Sequence, residues 1–273
     1  MRCKYREVRT ECGDFLDVDI FPVMTSGKPS KKRGKKYKPT SETMKRYNQR
    51  KRETRLERLI LTNFGDNGVF FNPSWSDSYL PSSEEDAKRF VNNFFRRLKT
   101  FRKRNGLPDL KYIYKLERGK RSGRLHAHMI LNCSDMPLGK LDEIWGKGYC
   151  FSSKVCCDDE GCKGLSDYFC KEKKPEPKED DDLGQDISYA WISSRNLDKP
   201  KERKRDGRIP KRQAVELCNL GEDAKREYEK LYPGYDFAKA RCLYNEVNGG
   251  WYIQARMRKR PERKRGRQCQ TKI

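Results

Sequence analysis

Arg124-Leu125-His126-Ala127-His128-Met129-Ile130-Leu131 decides how this chain is read. In an extended strand, successive side chains face opposite ways. His126 and His128 therefore share one face, and Leu125, Ala127, Met129 and Leu131 share the other. These are the 2 histidines of the 273-residue chain. Two imidazoles about 7 Å apart on one strand face can grip a single divalent cation. The preceding stretch alternates likewise, with Leu110, Tyr112, Tyr114 and Leu116 set against Lys111, Ile113, Lys115 and Glu117. Gly119-Lys120-Arg121-Ser122-Gly123 predicts a hairpin turn that brings Glu117 beside the histidines. Two imidazoles and a carboxylate form a mixed nitrogen and oxygen donor set suited to Mn²⁺ or Mg²⁺. The plainer alternative is a pair of polar residues on a solvated strand face.

The formal charge is +23, concentrated in three stretches. Residues 28–58 carry 14 basic and 3 acidic side chains, residues 199–212 carry 8 against 2, and residues 256–272 carry 9 against 1. Such a chain makes many phosphate contacts, so nucleic acid is the expected partner. Lys35, Lys36, Arg124, Arg195, Arg258 and Lys259 are the nucleic-acid-binding candidates. No basic amphipathic helix with a broad apolar face, lipidation signal or long apolar run argues for a membrane. Met1-Arg2-Cys3-Lys4 does not read as a signal peptide, so the protein is expected to stay where it is made. Cys150, Cys156, Cys157 and Cys162 surround Asp158-Asp159-Glu160-Gly161. Their spacing lacks paired C-x-x-C units, which favours reduced loop thiols over a zinc knuckle.

With 34% hydrophobic and 38% charged residues, one compact domain with basic appendages is expected. Residues 3–22 read as a strand pair turning at Cys12-Gly13-Asp14, followed by a Gly/Lys-rich linker and a basic helix ending near Asn63. Residues 69–75 read as a strand that Asn72-Pro73 shortens or places at an edge. A helix capped by Ser82 or Ser83 carries Ala87, Phe90, Val91, Phe94, Phe95, Leu98 and Phe101 at helical spacing. The two central strands follow, then a short helix over 138–145, a cysteine-rich loop, a helix over 164–173 and a strand over 187–193. Beyond Pro200, a helix over 211–232 and a hairpin turning at Asn248-Gly249 are expected. The pattern predicts an α+β fold, a small antiparallel sheet with helices on one side. The domains read as a basic N-terminal extension, 1–53, a compact domain, 54–200, and a basic C-terminal region, 201–273.

Leu165, Tyr168 and Lys171 are spaced three apart and share a helix face. A tyrosine hydroxyl beside an ammonium group can act as a nucleophile, because the cation favours the phenolate. Taken alone, tyrosine near lysine on a helix is usually structural. Leu125-His126-Ala127-His128-Met129 followed by Leu165-Ser166-Asp167-Tyr168-Phe169-Cys170-Lys171 resembles the two signatures of HUH endonucleases. With histidines first and a single tyrosine second, the order resembles rolling-circle replication initiators of bacterial plasmids and phages. Glu117, Asn92-Asn93-Phe94-Phe95, Ile144-Trp145-Gly146-Lys147-Gly148 and Ser193-Ser194-Arg195-Asn196 extend the resemblance over about residues 54 to 200. One departure is the first strand, where Val69-Phe70-Phe71-Asn72-Pro73 lacks the family's threonines.

The resemblance implies a ferredoxin-like sheet and metal-dependent nicking of single-stranded origin DNA through a 5′-phosphotyrosine. Glu117, His126 and His128 would be the metal ligands, with Tyr168 and Lys171 catalytic. It also implies single-stranded or hairpin origin DNA as substrate, and the cytoplasm of a bacterial host as location. The sequence has no G-x-x-x-x-G-K-[ST] loop, so a host helicase and a host DNA polymerase are the expected partners. A related transposase or a non-enzymatic basic nucleic-acid-binding protein are the rival readings.

Overall fold

A computed structural model describes residues 3–24, 42–119, 123–170, 191–246 and 249–261. In chain order the elements are β1 (Cys3–Cys12), β2 (Phe15–Met24), α1 (Glu42–Asn63), β3 (Val69–Pro73), α2 (Glu84–Arg104), β4 (Tyr112–Arg118), β5 (Leu125–Leu131) and α3 (Leu138–Trp145). There follow β6 (Cys150–Lys154), α4 (Lys163–Cys170), β7 (Ile192–Ser193), β8 (Lys201–Asp206), α5 (Lys211–Leu220), α6 (Lys225–Leu231), β9 (Tyr235–Asn245) and β10 (Gly250–Lys259). The fold is α+β. The described residues form two five-stranded sheets, ordered β6-β3-β5-β4-β7 and β8-β1-β2-β10-β9. They belong to two compact units, Ser30–Lys201 and Met1–Pro29 with Glu202–Ile273.

In the central unit, β3 pairs antiparallel with β5 and β6, and β4 with β5 and β7. One face of the sheet presents Phe71, Tyr114, Ala127, Met129 and Leu131 to α2 and α3. Helix α2 forms because Ala87, Val91, Phe94, Phe95 and Leu98 recur on one side, each fully or nearly buried. Burying a large apolar side chain of this kind contributes about 1.5–3 kcal/mol. Ser83 caps the helix by accepting from the Asp86 amide at 3.1 Å. Glu84, Glu85 and Asp86 in the first turn, and Arg102, Lys103 and Arg104 in the last, complement its dipole.

The other face carries Phe70, Ile113 and Ile130, of which both isoleucines are fully buried. Helix α4 supplies cover there, with Phe169 set edge-on to Phe70 at 6.3 Å between ring centroids. The helices thus lie on both faces rather than one. Helix α1 joins this unit through Gln49, whose side chain donates to the Cys170 carbonyl at 2.8 Å.

Strand β3 is interior, not an edge. Its pairing with β5 ends at Phe71, so Pro73 removes no amide from that ladder. The edge is β6, whose Cys-Phe-Ser-Ser-Lys sequence lacks a hydrophobic period and reads as loop. Cys157 and Cys162 form a disulfide across the turn after it, so the expectation of reduced thiols fails for this pair. The Asp158–Gly161 turn brings their Cα atoms within 4.8 Å.

The terminal unit draws on both ends of the chain. Ile20 on β2 lies opposite Ile253 on β10, so strands from both ends of the chain share one sheet. Leu16, Val18 and Ile20 alternate with polar residues, as do Ile253, Ala255 and Met257, and together they bury one face against Leu217 and Tyr228. The expected 211–232 helix breaks into α5, a 3₁₀ turn over Gly221–Ala224 and α6. Gly221 adopts φ 56°, which ends α5. No helix of the described residues is long and apolar enough to cross a membrane.

Gly148 fixes the approach of β6 to β3. Its φ is 153°, and a Cβ there would lie 2.6 Å from both the Ser74 carbonyl oxygen and the Ser76 amide nitrogen. Backbone cannot yield as a flexible side chain can. Gly148→Ala is expected to destabilise the central unit by more than ~1 kcal/mol. Urea unfolding followed by tryptophan fluorescence measures this, and an unchanged midpoint would contradict it.

Candidate active site

The β4/β5 register places Glu117 opposite His126 and Lys115 opposite His128. Directly opposed residues share a sheet face, so all four project away from the α2 core. The hairpin closes with the Gly119 amide donating to the Arg124 carbonyl at 2.8 Å and the Gly123 amide donating to the Gly119 carbonyl at 2.9 Å. Nε2 of His128 lies 3.4 Å from Oε2 of Glu117. One ligand atom from each of Glu117, His126 and His128 can be chosen so that all lie within 4.8 Å of one another. Two borderline nitrogens and one hard oxygen fit a divalent cation, with positions left for substrate oxygens.

Helix α4 brings Tyr168 onto this cluster. Its hydroxyl is 2.8 Å from Nε2 and 3.0 Å from Nδ1 of His128. Nδ1 is also 2.9 Å from Oδ1 of Asn72. An amide oxygen only accepts, so Nδ1 carries the proton and donates to Asn72. Nε2 is then left with its lone pair and accepts from the Tyr168 hydroxyl. Phe70 stacks near His128 at 6.3 Å and meets the Tyr168 ring edge-on at 6.2 Å, walling the pair.

Electrostatics keep this pair neutral. Burial pushes the His128 imidazole down to about 4, with His126 and Lys115 adding to the shift and Glu117 opposing it. Burial also pushes the Tyr168 hydroxyl up to about 12, and the Glu117 charge adds to this. At neutral pH the site therefore holds a neutral imidazole against a protonated phenol.

Lys115 brings a cation to the tyrosine. Its ammonium donates to the Tyr168 carbonyl at 3.0 Å and lies 5.3 Å from the centre of the Tyr168 ring. It also lies 3.5 Å from Oε2 of Glu117. This residue ties the end of α4 to β4. Its position two residues before Glu117 on the same strand face was the signal for it in the sequence. Asn72 had no such signal, because its place beside His128 depends on β3 lying next to β5. Lys171, Lys35 and Lys36 lie outside the described residues.

The remaining sequence candidates are dispersed. Arg124 donates to Asp77 at 2.6 Å and to the Trp75 carbonyl at 2.9 Å, fastening the start of β5 to the segment after β3. Arg195 is exposed after β7 and acts electrostatically on Tyr112, on the face of β4 opposite Glu117. Arg258 and Lys259 are exposed on β10 of the terminal unit. The cysteine loop forms no metal-ligating group of three among the described residues.

Residues 78–173 match a family model of replication-associated proteins. The match runs from before α2 through α4 and takes in Glu117, His126, His128 and Tyr168. It bears out the resemblance to replication-associated proteins. No curated protein and no solved structure matches the chain.

The depressed His128 value has a consequence for stability. Between pH 6.5 and about 4 the unfolded chain binds a proton at this residue that the folded chain refuses. Stability from this group is therefore complete above pH 6.5 and is lost as pH falls towards 4. Metal-free protein is expected to show a shallower acid decline once His128 is replaced by Gln. Urea titrations at several pH values check this, and parallel curves for the two proteins would contradict it.

Proposed function

We propose that this chain is a metal-dependent, site-specific endonuclease and strand transferase of single-stranded DNA that initiates rolling-circle replication. The observation that carries the reading is the Tyr168 hydroxyl, 2.8 Å from Nε2 of His128 and seated at the Glu117, His126 and His128 cluster. The replication-associated family match over the same segment supports it.

Glu117, His126 and His128 would hold Mn²⁺ or Mg²⁺, which would supply Lewis-acid polarisation of the scissile phosphate. Tyr168 attacks phosphorus in line through its phenolic oxygen. A phosphorus–oxygen bond forms to the tyrosine, the bond to the 3′ oxygen breaks, and the protein becomes linked to the 5′ side. The phenol gives up one proton and the departing 3′ oxygen takes up one, so the step balances without a co-reactant. Reversal by a 3′-hydroxyl rejoins the strand without ATP, because the phosphotyrosine keeps the phosphodiester energy.

Lys115 holds the helix end that carries Tyr168 through its bond to the Tyr168 carbonyl. Lys171, one residue beyond α4, orients the phosphate. Arg124, Arg195, Lys35, Lys36, Arg258 and Lys259 hold the DNA backbone. The substrate is single-stranded or extruded hairpin origin DNA, since a paired strand cannot enter the site. A host helicase opens the duplex, and a host polymerase extends the freed 3′ end. The catalytic domain corresponds to residues 54–200.

Incubation with single-stranded origin DNA and Mn²⁺ tests the reading directly. Wild-type protein is expected to give an SDS-stable protein–DNA band, and Tyr168→Phe none, while DNA binding by that variant stays within about threefold because phosphate contacts carry it. An adduct of normal yield from Tyr168→Phe would overturn the assignment of the nucleophile.

Metal dependence separates Glu117 from the tyrosine. Glu117→Gln removes a charged oxygen donor, so cleavage at low Mn²⁺ should fall more than about tenfold and recover partly at high Mn²⁺ by mass action. His126→Ala and His128→Ala should lose more and recover less. A metal titration of Glu117→Gln that superimposes on wild type would remove this residue from the ligand set.

A further inference from the structure

Two large aromatic side chains stand in solvent beside the site without serving it. Tyr149 is 76% and Phe151 49% exposed. Phe151 lies opposite Asn72 in the β6/β3 ladder, and so shares the face of His126, His128 and Glu117. Cys150 packs into the α2 core, so alternation puts Tyr149 on the same outer face as Phe151. Asn72 itself is 2.9 Å from His128, which sets Phe151 two strand spacings, roughly 10 Å, from the candidate metal ligands.

Their backbone is pinned. The Ser74 amide and hydroxyl both donate to the Tyr149 carbonyl at 2.8 Å, and the Ser76 amide donates to the Lys147 carbonyl at 2.8 Å. Gly148 is the residue whose lack of a Cβ permits this approach. A rigid strand edge therefore holds two π faces in water, about 7 Å apart along the strand. That is roughly twice the per-strand rise of a duplex, a separation suited to bases of an extended, unstacked strand. The whole chain carries +23. A strongly basic protein that also holds exposed aromatic rings matches a polyanion whose monomers each present a flat π surface.

We propose that Tyr149 and Phe151 form a stacking platform for bases of the substrate strand next to the scissile phosphate. The proposal rests on reading the neighbouring site as a single-stranded DNA strand-transfer centre. It adds a base-contacting subsite on β6 that leads across β3 to Tyr168.

The test uses full-length protein carrying Tyr168→Phe, without metal, so that no chemistry intervenes. Fluorescence anisotropy compares a 15-nucleotide oligo-dT with an abasic strand of the same length. Tyr149→Ala with Phe151→Ala is expected to weaken oligo-dT binding at least about tenfold and leave the abasic strand within about twofold. Tyr149→Leu with Phe151→Leu keeps apolar bulk but removes the π faces, and should lose the same amount. Oligo-dT affinity within twofold of the parent would overturn the platform. So would equal losses for both strands, or full retention by the leucine pair. The two readings fail separately. A wild-type protein that forms no adduct would sink the nicking mechanism but leave the base-dependent binding difference in place. Normal adduct with no such difference would sink the platform alone.

Discussion

The register between β4 and β5 is the constraint on which the site depends. Side chains on a strand repeat every two residues, so a slip of one would turn Glu117 and Lys115 into the face occupied by Tyr114 and Leu116. Glu117 opposite His126 and Lys115 opposite His128 exist only in the pairing observed. The apolar side of the hairpin enforces it. Ala127, Met129 and Leu131 are fully buried against α2, and exchanging them for two imidazoles would strand unpaired polar rings in a dry core. Such burial costs several kcal/mol, far more than any gain from an alternative turn. The polar site is thus specified by the hydrophobic face behind it.

Burial then sets the chemistry of what the register assembles. His128 is held neutral and Tyr168 protonated by the same loss of solvent, although one is a base and the other an acid. The two shifts act together, since a neutral imidazole is an acceptor and a protonated phenol is a donor. Asn72 completes the arrangement by accepting a hydrogen bond from Nδ1, which leaves Nε2 as the atom facing both Tyr168 and Glu117. Lys115 reinforces the neutral imidazole, because a second cation nearby disfavours protonation of His128. It also lies beside the phenol ring and the Glu117 carboxylate at once.

What was legible in the sequence follows the range of the interactions. The β4–β5 hairpin and α2 are local, and each shows its buried face as a period of two or of about 3.6 in the residues themselves. Glu117, His126 and His128 were readable together because one short turn separates their strands. Strands β6 and β8 were not readable. Each sits at a sheet edge, paired on one side only, and neither Cys150–Lys154 nor Lys201–Asp206 has an apolar face to reveal it. The joining of β2 to β10 was hidden for another reason. Arginine and lysine dominate the composition towards the end of the chain, while the alternating Val18, Ile20, Ile253 and Ala255 find each other only across most of its length. The Asn72–His128 contact has the same character, since a 56-residue separation leaves no local trace.

The segment matching the replication-associated family begins at residue 78, after β3 has ended. Yet β3 lies between β6 and β5, so the matched segment cannot form this sheet continuously without it. The match therefore contains Glu117, His126, His128 and Tyr168, while the strand that orients His128 is supplied from outside it. The backbone of β3 must bridge β5 and β6, and one side chain must accept from Nδ1. Asn72 meets the second demand with an amide oxygen, and Val69, Phe70 and Phe71 meet the first with β-favouring side chains that pack on both faces.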